Sequence, residues 1–146
     1  MVELKNISIF ELKSFVSISY SGDKELLEKY HVEEYETEEQ AVNSTMNMIR
    51  MTSEEVDMKC YSVFEEKEAI GYLCVFDNFL YSFGIKKEKR KMPILVDFWA
   101  NILDILGSSF ITMLYPNNVR AINWLRKCGM VEVKEVETNC VTLLNV

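Results

Sequence analysis

Chain breakers are scarce in this 146-residue sequence, which has two prolines and five glycines. No stretch reads as a linker, no segment repeats, and none is of low complexity. One domain over residues 1–146 is therefore expected. Long apolar runs are also missing: all fall far short of the ~20 residues that span a bilayer, which argues against a membrane protein. Met1-Val2-Glu3-Leu4-Lys5 lacks the basic start, apolar stretch and cleavage site of a signal peptide, so a cytoplasmic location is expected. Histidine occurs once, at His31, where a polar helical stretch ends. It reads as a surface residue, because a histidine base needs partners that the spacing does not supply. Cys60, Cys74, Cys128 and Cys140 show no C-x-x-C spacing and sit in apolar contexts. They read as buried free thiols in a reducing compartment, and no metal site is expected. Positive charge is in deficit: 16 Lys and Arg against 23 Asp and Glu give a net charge of −7. Such a chain repels phosphate backbones, so no nucleic-acid partner is expected.

What remains is ordinary globular composition, 49% apolar and 27% charged. The charge is uneven, however. Glu33-Glu34-Tyr35-Glu36-Thr37-Glu38-Glu39 is acidic, whereas Lys86-Lys87-Glu88-Lys89-Arg90-Lys91 carries five positive charges and one negative.

The pattern predicts a strand over 6–20, rich in Ile, Phe, Val and Tyr. After the turn Ser21-Gly22-Asp23, with Asp23 capping the amides of Glu25 and Leu26, a helix runs to Tyr30. A second helix is expected from Thr37 to Arg50, with Thr37 and Gln40 spaced as a capping box. Strands follow over 59–64, 69–76 and 79–85, joined by tight turns into an antiparallel meander. Pro93 suits a first helical turn, and Ile94, Leu95, Phe98, Ile102 and Ile105 repeat at helical spacing up to Gly107. A strand over 109–114, a helix over 119–128 ended by Gly129, and strands near 130–136 and 139–145 complete the chain. The expected class is α/β: a mixed, mostly antiparallel sheet of about seven strands flanked by about four helices. The strand–helix–strand order of the last third predicts a parallel pair there. Mixed sheets of this kind take ligands where strands separate at their carboxyl ends.

Asn118-Val119-Arg120-Ala121-Ile122-Asn123-Trp124-Leu125-Arg126-Lys127-Cys128-Gly129-Met130 resembles the segment N-x-x-A-x-x-x-Y-x-x-x-G-F of the acyl-CoA N-acyltransferase (GNAT) superfamily. Asn118, Ala121 and Gly129 stand at the family offsets, and Met130 replaces the usual Phe. The element order from Tyr61 onward also matches. The resemblance implies acyl-CoA, such as acetyl-CoA, between the fourth and fifth strands, with an amine as acceptor. In the family a loop reading R-x-x-G-x-G holds the pyrophosphate on backbone amides and a helix dipole. Here Arg90 takes the first position, but Pro93 and Leu95 replace the glycines, so Lys87, Lys89 and Arg90 are the implied phosphate contacts. Asn118 is implied to bond the pantetheine arm or the backbone segment that partners the cofactor.

The resemblance also implies a tyrosine acid at position 125, where this chain has Leu125. Tyr115, or Cys128, is the substitute candidate. The family base is a carboxylate or ordered water near the fourth and fifth strands. The strand 79–85 holds no carboxylate, and Asp77 in the preceding turn is the nearest. Glu65, Glu66 and Glu68 read as exposed hairpin charges. The chain further resembles small phage proteins described as internal virion components, which share the leucine and lack the glycine loop. Three expectations follow: a divergent N-acyltransferase, with the acidic run attracting a cationic amine; a non-catalytic virion-associated protein binding virion partners; or an acyl-CoA-sensing module.

Overall fold

The computed structural model describes residues 1–28, 35–134 and 139–146. His31, Glu33, Glu34 and Tyr30 lie outside them. So does part of the strand expected over 130–136.

The meander forms as expected. Strands β1 (Val2–Ile7), β2 (Lys59–Glu65), β3 (Glu68–Phe76) and β4 (Phe79–Ile85) pair antiparallel in that order. The tight turns use left-handed backbone at Glu66, Lys67 and Asp77. Beyond β4 come β5 (Phe110–Leu114), β7 (Val141–Asn145) and β6 (Val131–Glu132), in the sheet order β1-β2-β3-β4-β5-β7-β6. The parallel pair is β4 with β5, joined by a helical crossover, whereas β7 joins β5 antiparallel. This corrects the expected position of the parallel pair. The returning strand β7 inserts between β5 and β6, so the strand after the last helix never reaches β5.

The first thirty residues required another correction. The predicted strand over 6–20 is the end of β1 followed by helix α1 (Leu12–Tyr20). Its buried residues are Leu12, Val16, Ser19 and Tyr20, the three- and four-residue spacing of a helix. The β-branched content gave the opposite signal, and packing overrides that weak propensity. Helices α2 (Lys24–Glu28) and α3 (Glu38–Ser53) follow. Asp23 accepts the Leu26 amide at 3.1 Å. Thr37 and Gln40 form the capping box, with the Gln40 amide donating to Thr37 Oγ1 at 3.2 Å. Helices α4 (Ile94–Leu106) and α5 (Val119–Lys127) lie where periodicity put them.

The sheet separates two apolar layers. Ile94, Phe98 and Ile102 of α4 and Leu125 of α5 pack with Leu73, Val75 and Leu80 in one. Leu12 and Val16 of α1 and Val42, Met46 and Ile49 of α3 pack with Cys60, Tyr72 and Cys74 in the other. Fully burying one such side chain contributes about 1.5–3 kcal/mol. No described helix is long and apolar enough to cross a membrane.

Candidate functional site

The two parallel strands stay together only briefly. Phe79 pairs with Ile111 and Leu80 with Thr112, and there the ladder ends. Thr112 Oγ1 donates to the Leu80 carbonyl at 2.7 Å at that point. At the same level β4 bulges. Cys74 faces Ser82 and Val75 faces Leu80, so Tyr81 is an extra residue with no partner on β3. A bulge leaves such a residue out of the ladder and re-aims the strand. Beyond it a cleft of about 520 Å³ opens.

Tyr81 through Ile85 form one wall of this cleft, and Met113, Leu114, Tyr115, Asn118 and Ala121 form the opposite one. Tyr20, Thr45, Met48 and Tyr72 line it from the α1–α3 layer. Phe83, Phe98 and Trp124 form an aromatic patch within it, with Phe98 and Trp124 stacked at 5.9 Å between ring centres. Gly84 is needed here. A β-carbon on it would stand 2.8 Å from Ser19 Cβ and 2.9 Å from the Tyr72 ring, so only glycine lets α1 approach this close.

The tyrosine hydroxyls are engaged. Tyr20 pairs with Thr45 Oγ1 at 2.8 Å, Tyr72 with Ser82 Oγ at 2.8 Å, and Tyr81 with Thr52 Oγ1 at 2.6 Å. Burial pushes Tyr20 up to about 12, against the smaller opposing pull of the Thr45 bond. Burial also raises Tyr72 well above its ordinary value and raises Tyr81. These three phenols stay neutral at physiological pH and offer hydrogen bonds, not a base.

A charged cluster borders the cleft. Asp23, whose side chain is fully buried, accepts from Arg90 Nη1 and, at 2.8 Å, from Arg120 Nη2. Arg90 also donates through Nε to the Ile85 carbonyl at 2.7 Å and through Nη2 to the Ser19 carbonyl at 3.3 Å. Burial alone would raise the Asp23 pKa. The bonds from Arg90 and Arg120, the Arg90 charge and the Leu26 amide outweigh that and hold it below the ordinary carboxylate value. Asp23 thus ties α1–α2 to the segment after β4 and to the first turn of α5.

The basic run meets carboxylates of the β2–β3 hairpin. Lys89 Nζ lies 2.8 Å from Glu65 and 3.6 Å from Glu68, and Lys86 lies 3.8 Å from Glu68 and 3.6 Å from Glu88. The bond between them raises Lys89 and lowers Glu65. Lys87 and Lys91 are exposed and make no ion pair among the described residues.

Of the residues singled out from sequence, Tyr115, Asn118 and Arg90 line the cleft. Lys87 and Lys89 sit on a short 3-10 turn outside the lining, and Asp77 lies in the β3–β4 turn, also outside it. Cys128 is half-buried, and burial pushes its thiol up to about 11. Leu125 is fully buried beneath the site. Sequence reasoning passed over Arg120, Gly84, Tyr72 and the ionic role of Asp23. A lone glycine inside an apolar strand was the available signal for Gly84. Nothing local signals the Asp23 cluster, whose partners lie 67 and 97 residues away.

The same fold is found in solved acetyltransferases, including ones of the GNAT family. The chain is similar to an acetyltransferase from Thermus thermophilus, with 16% identity over 99% of this chain and 96% of that one and a TM-score of 0.65. It is likewise similar to a Salmonella typhimurium acetyltransferase that modifies the N-terminal serine of ribosomal protein L7/L12, with 13% identity, coverage of 99% and 94%, and a TM-score of 0.63. The paiA N-acetyltransferase of Thermoplasma acidophilum, solved in complex with coenzyme A, matches at 14% identity over 99% and 98% with a TM-score of 0.62. No sequence-family model and no curated protein matches the chain. The fold is thus the GNAT fold.

Acyl-CoA is the group this fold implies, and the two ends of the site differ in how they suit it. On the side facing β5, the β4 edge beyond Leu80 has no strand beside it among the described residues, and the bulge at Tyr81 falls at that level. In the segment after β4, where the phosphates would lie, some of the amides are engaged. Arg90 N donates to Lys87 O at 3.3 Å, Lys91 N to Lys89 O at 2.9 Å, and Leu95 N to Lys91 O at 3.0 Å. Pro93 has none to offer. The amides of Met92, Ile94 and Val96 make no backbone bond among the described residues. The phosphates of an acyl-CoA would therefore meet these amides and the basic side chains, and its pantetheine arm would run along the β4 edge.

Proposed function

We propose that this chain is an acyl-CoA-dependent N-acyltransferase, with the acyl donor between β4 and β5 and an amine acceptor in the tyrosine-lined part of the same cleft. The observation that carries this reading is the coincidence of two features. The β4–β5 ladder ends at Leu80 and Thr112, and the bulge at Tyr81 falls at that level. Bound acyl-CoA supplies an activated thioester. The backbone amides of Tyr81 to Phe83 polarise the thioester carbonyl, and preorganised donors of this kind are usually the largest single contribution to acyl transfer. Asn118, at the start of α5 on the facing wall, bonds the pantetheine arm. Lys87 and Lys91 face the phosphates. Lys89 and Arg90 join them only by leaving Glu65 and Asp23. Tyr115, 38% exposed at the end of the β5 wall, protonates the departing sulfur. Asp77 stands outside the lining and takes the acceptor's proton only through an intervening water. The walls hold both reactants together, which lowers the entropic part of the barrier.

The test is release of coenzyme A thiol from acetyl-CoA in the presence of an amine panel that includes a peptide α-amine and a polyamine. Amine-dependent release is expected, and Tyr115→Phe lowers kcat by about 100-fold, the lower range for loss of a general acid. Absence of release with every amine, while acetyl-CoA still binds, would favour a non-catalytic acyl-CoA-binding module. Leu125 in the family's tyrosine position is the observation on that side.

A further inference from the structure

Cys60 on β2 and Cys74 on β3 are direct register partners, and their Sγ atoms lie 3.8 Å apart. Both are buried in the layer beneath α1 and α3. Facing residues of antiparallel neighbours have Cα atoms about 4.5–5.5 Å apart, inside the range of ~4.4–6.8 Å that a disulfide spans. A disulfide needs the sulfurs at about 2.05 Å, so each must move by roughly 0.9 Å, within reach of side-chain rotation. The Cys74 thiol donates to Cys60 Sγ, and this bond lowers the Cys60 pKa against the opposing effect of burial.

We propose that Cys60 and Cys74 form a redox modification site that a small hydroperoxide closes to a cross-strand disulfide. The Cys60 thiolate attacks one peroxide oxygen, the O–O bond breaks, and Cys60 becomes a sulfenic acid. The other oxygen leaves as hydroxide or alkoxide, which takes up the proton that Cys60 released and departs as water or alcohol. Cys74 sulfur then attacks Cys60 sulfur, the S–O bond breaks, and water departs with the Cys74 proton. The two sulfurs lose two electrons in all and the peroxide gains them. A small oxidant is the suitable class because Cys60 is only 4% exposed and Cys74 is fully buried. Cys74 faces Ser82, the residue next to the bulged Tyr81, so the new bond forms directly behind the cleft wall. Its effect on transfer rests on the acyltransferase reading, but the bond itself does not.

The test is treatment of the folded wild-type chain with hydrogen peroxide, followed by thiol counting in denaturant, intact mass and non-reducing peptide mapping. The expected result is loss of two thiols and about 2 Da, the signature of a disulfide, with a peptide pair joining Cys60 to Cys74 that dithiothreitol releases. Cys60→Ser and Cys74→Ser should each abolish that pair. Coenzyme A release is measured before and after oxidation. A changed rate that dithiothreitol restores would link the bond to the cleft, whereas an inactive chain that still forms the bond would count against the acyltransferase reading alone. The proposal is overturned if Cys60 and Cys74 remain thiols while Cys128 or Cys140 oxidises, or if Cys60 proceeds to the sulfinic acid without cross-linking.

Discussion

Replacing Asp23 by asparagine removes the negative charge between Arg90 and Arg120 and leaves the shape of the side chain almost unchanged. The Asp23 side chain is 0% exposed, against 25% for Arg90 and 34% for Arg120. Breaking one partner of a fully buried ion pair costs about 3–5 kcal/mol. The partial exposure of both guanidiniums places this case at the low end, because solvent takes up part of the uncompensated charge. We expect a loss of about 3 kcal/mol, or roughly 10 °C in Tm for a chain of this size. The pH dependence carries the sign. The folded pKa of Asp23 is depressed, so its stabilisation is fully present above the unfolded value of about 3.9 and is lost as pH falls through the folded value. Urea unfolding of wild type and Asp23→Asn should therefore show a constant gap between about pH 5 and 8 that narrows below about pH 4. A gap under about 1 kcal/mol, typical of a surface pair, or one that does not narrow in acid, would refute the assignment of Asp23 as a buried ionic tie.

Two further outcomes follow from the packing. Gly84→Ala should destabilise the chain by about 1–3 kcal/mol, the usual cost of overpacking, because its β-carbon collides with Ser19 and Tyr72; Ser19→Gly should recover part of that loss in chemical denaturation. With its pKa pushed to about 11 by burial, Cys128 should alkylate with iodoacetamide much more slowly at pH 8 than an ordinary thiol of pKa about 8.5. Equal rates would contradict that placement.

The parts of the fold legible in the sequence were those whose patterns are local. The hairpin strands, the α4 stripe from Ile94 to Ile102 and the Thr37–Gln40 cap each announce themselves within a few residues. Helix α1 did not, because Ile, Val and Phe carry strand propensity even when Leu12, Val16 and Tyr20 stand at helical spacing. The cleft was legible in outline only. The Asn118–Gly129 segment located α5, but the end of the β4–β5 ladder depends on register, which no local pattern encodes. For the same reason Arg90 reads from sequence as a phosphate contact within a basic run, although folding brings Asp23 against it from 67 residues away.

The most direct test of the account is a tryptophan-fluorescence titration with acetyl-CoA, run in parallel on wild type, Trp124→Phe and the Lys87→Ala, Lys91→Ala double variant. Trp124 lines the cleft and contacts Trp99 at 6.0 Å between ring centres. The account predicts a saturable change in wild type, most of it lost in Trp124→Phe, and a weaker affinity for acetyl-CoA in the lysine variant with acetyl-pantetheine binding unchanged. No change up to millimolar acetyl-CoA, or a change that survives undiminished in Trp124→Phe, would contradict the placement of an acyl donor between β4 and β5.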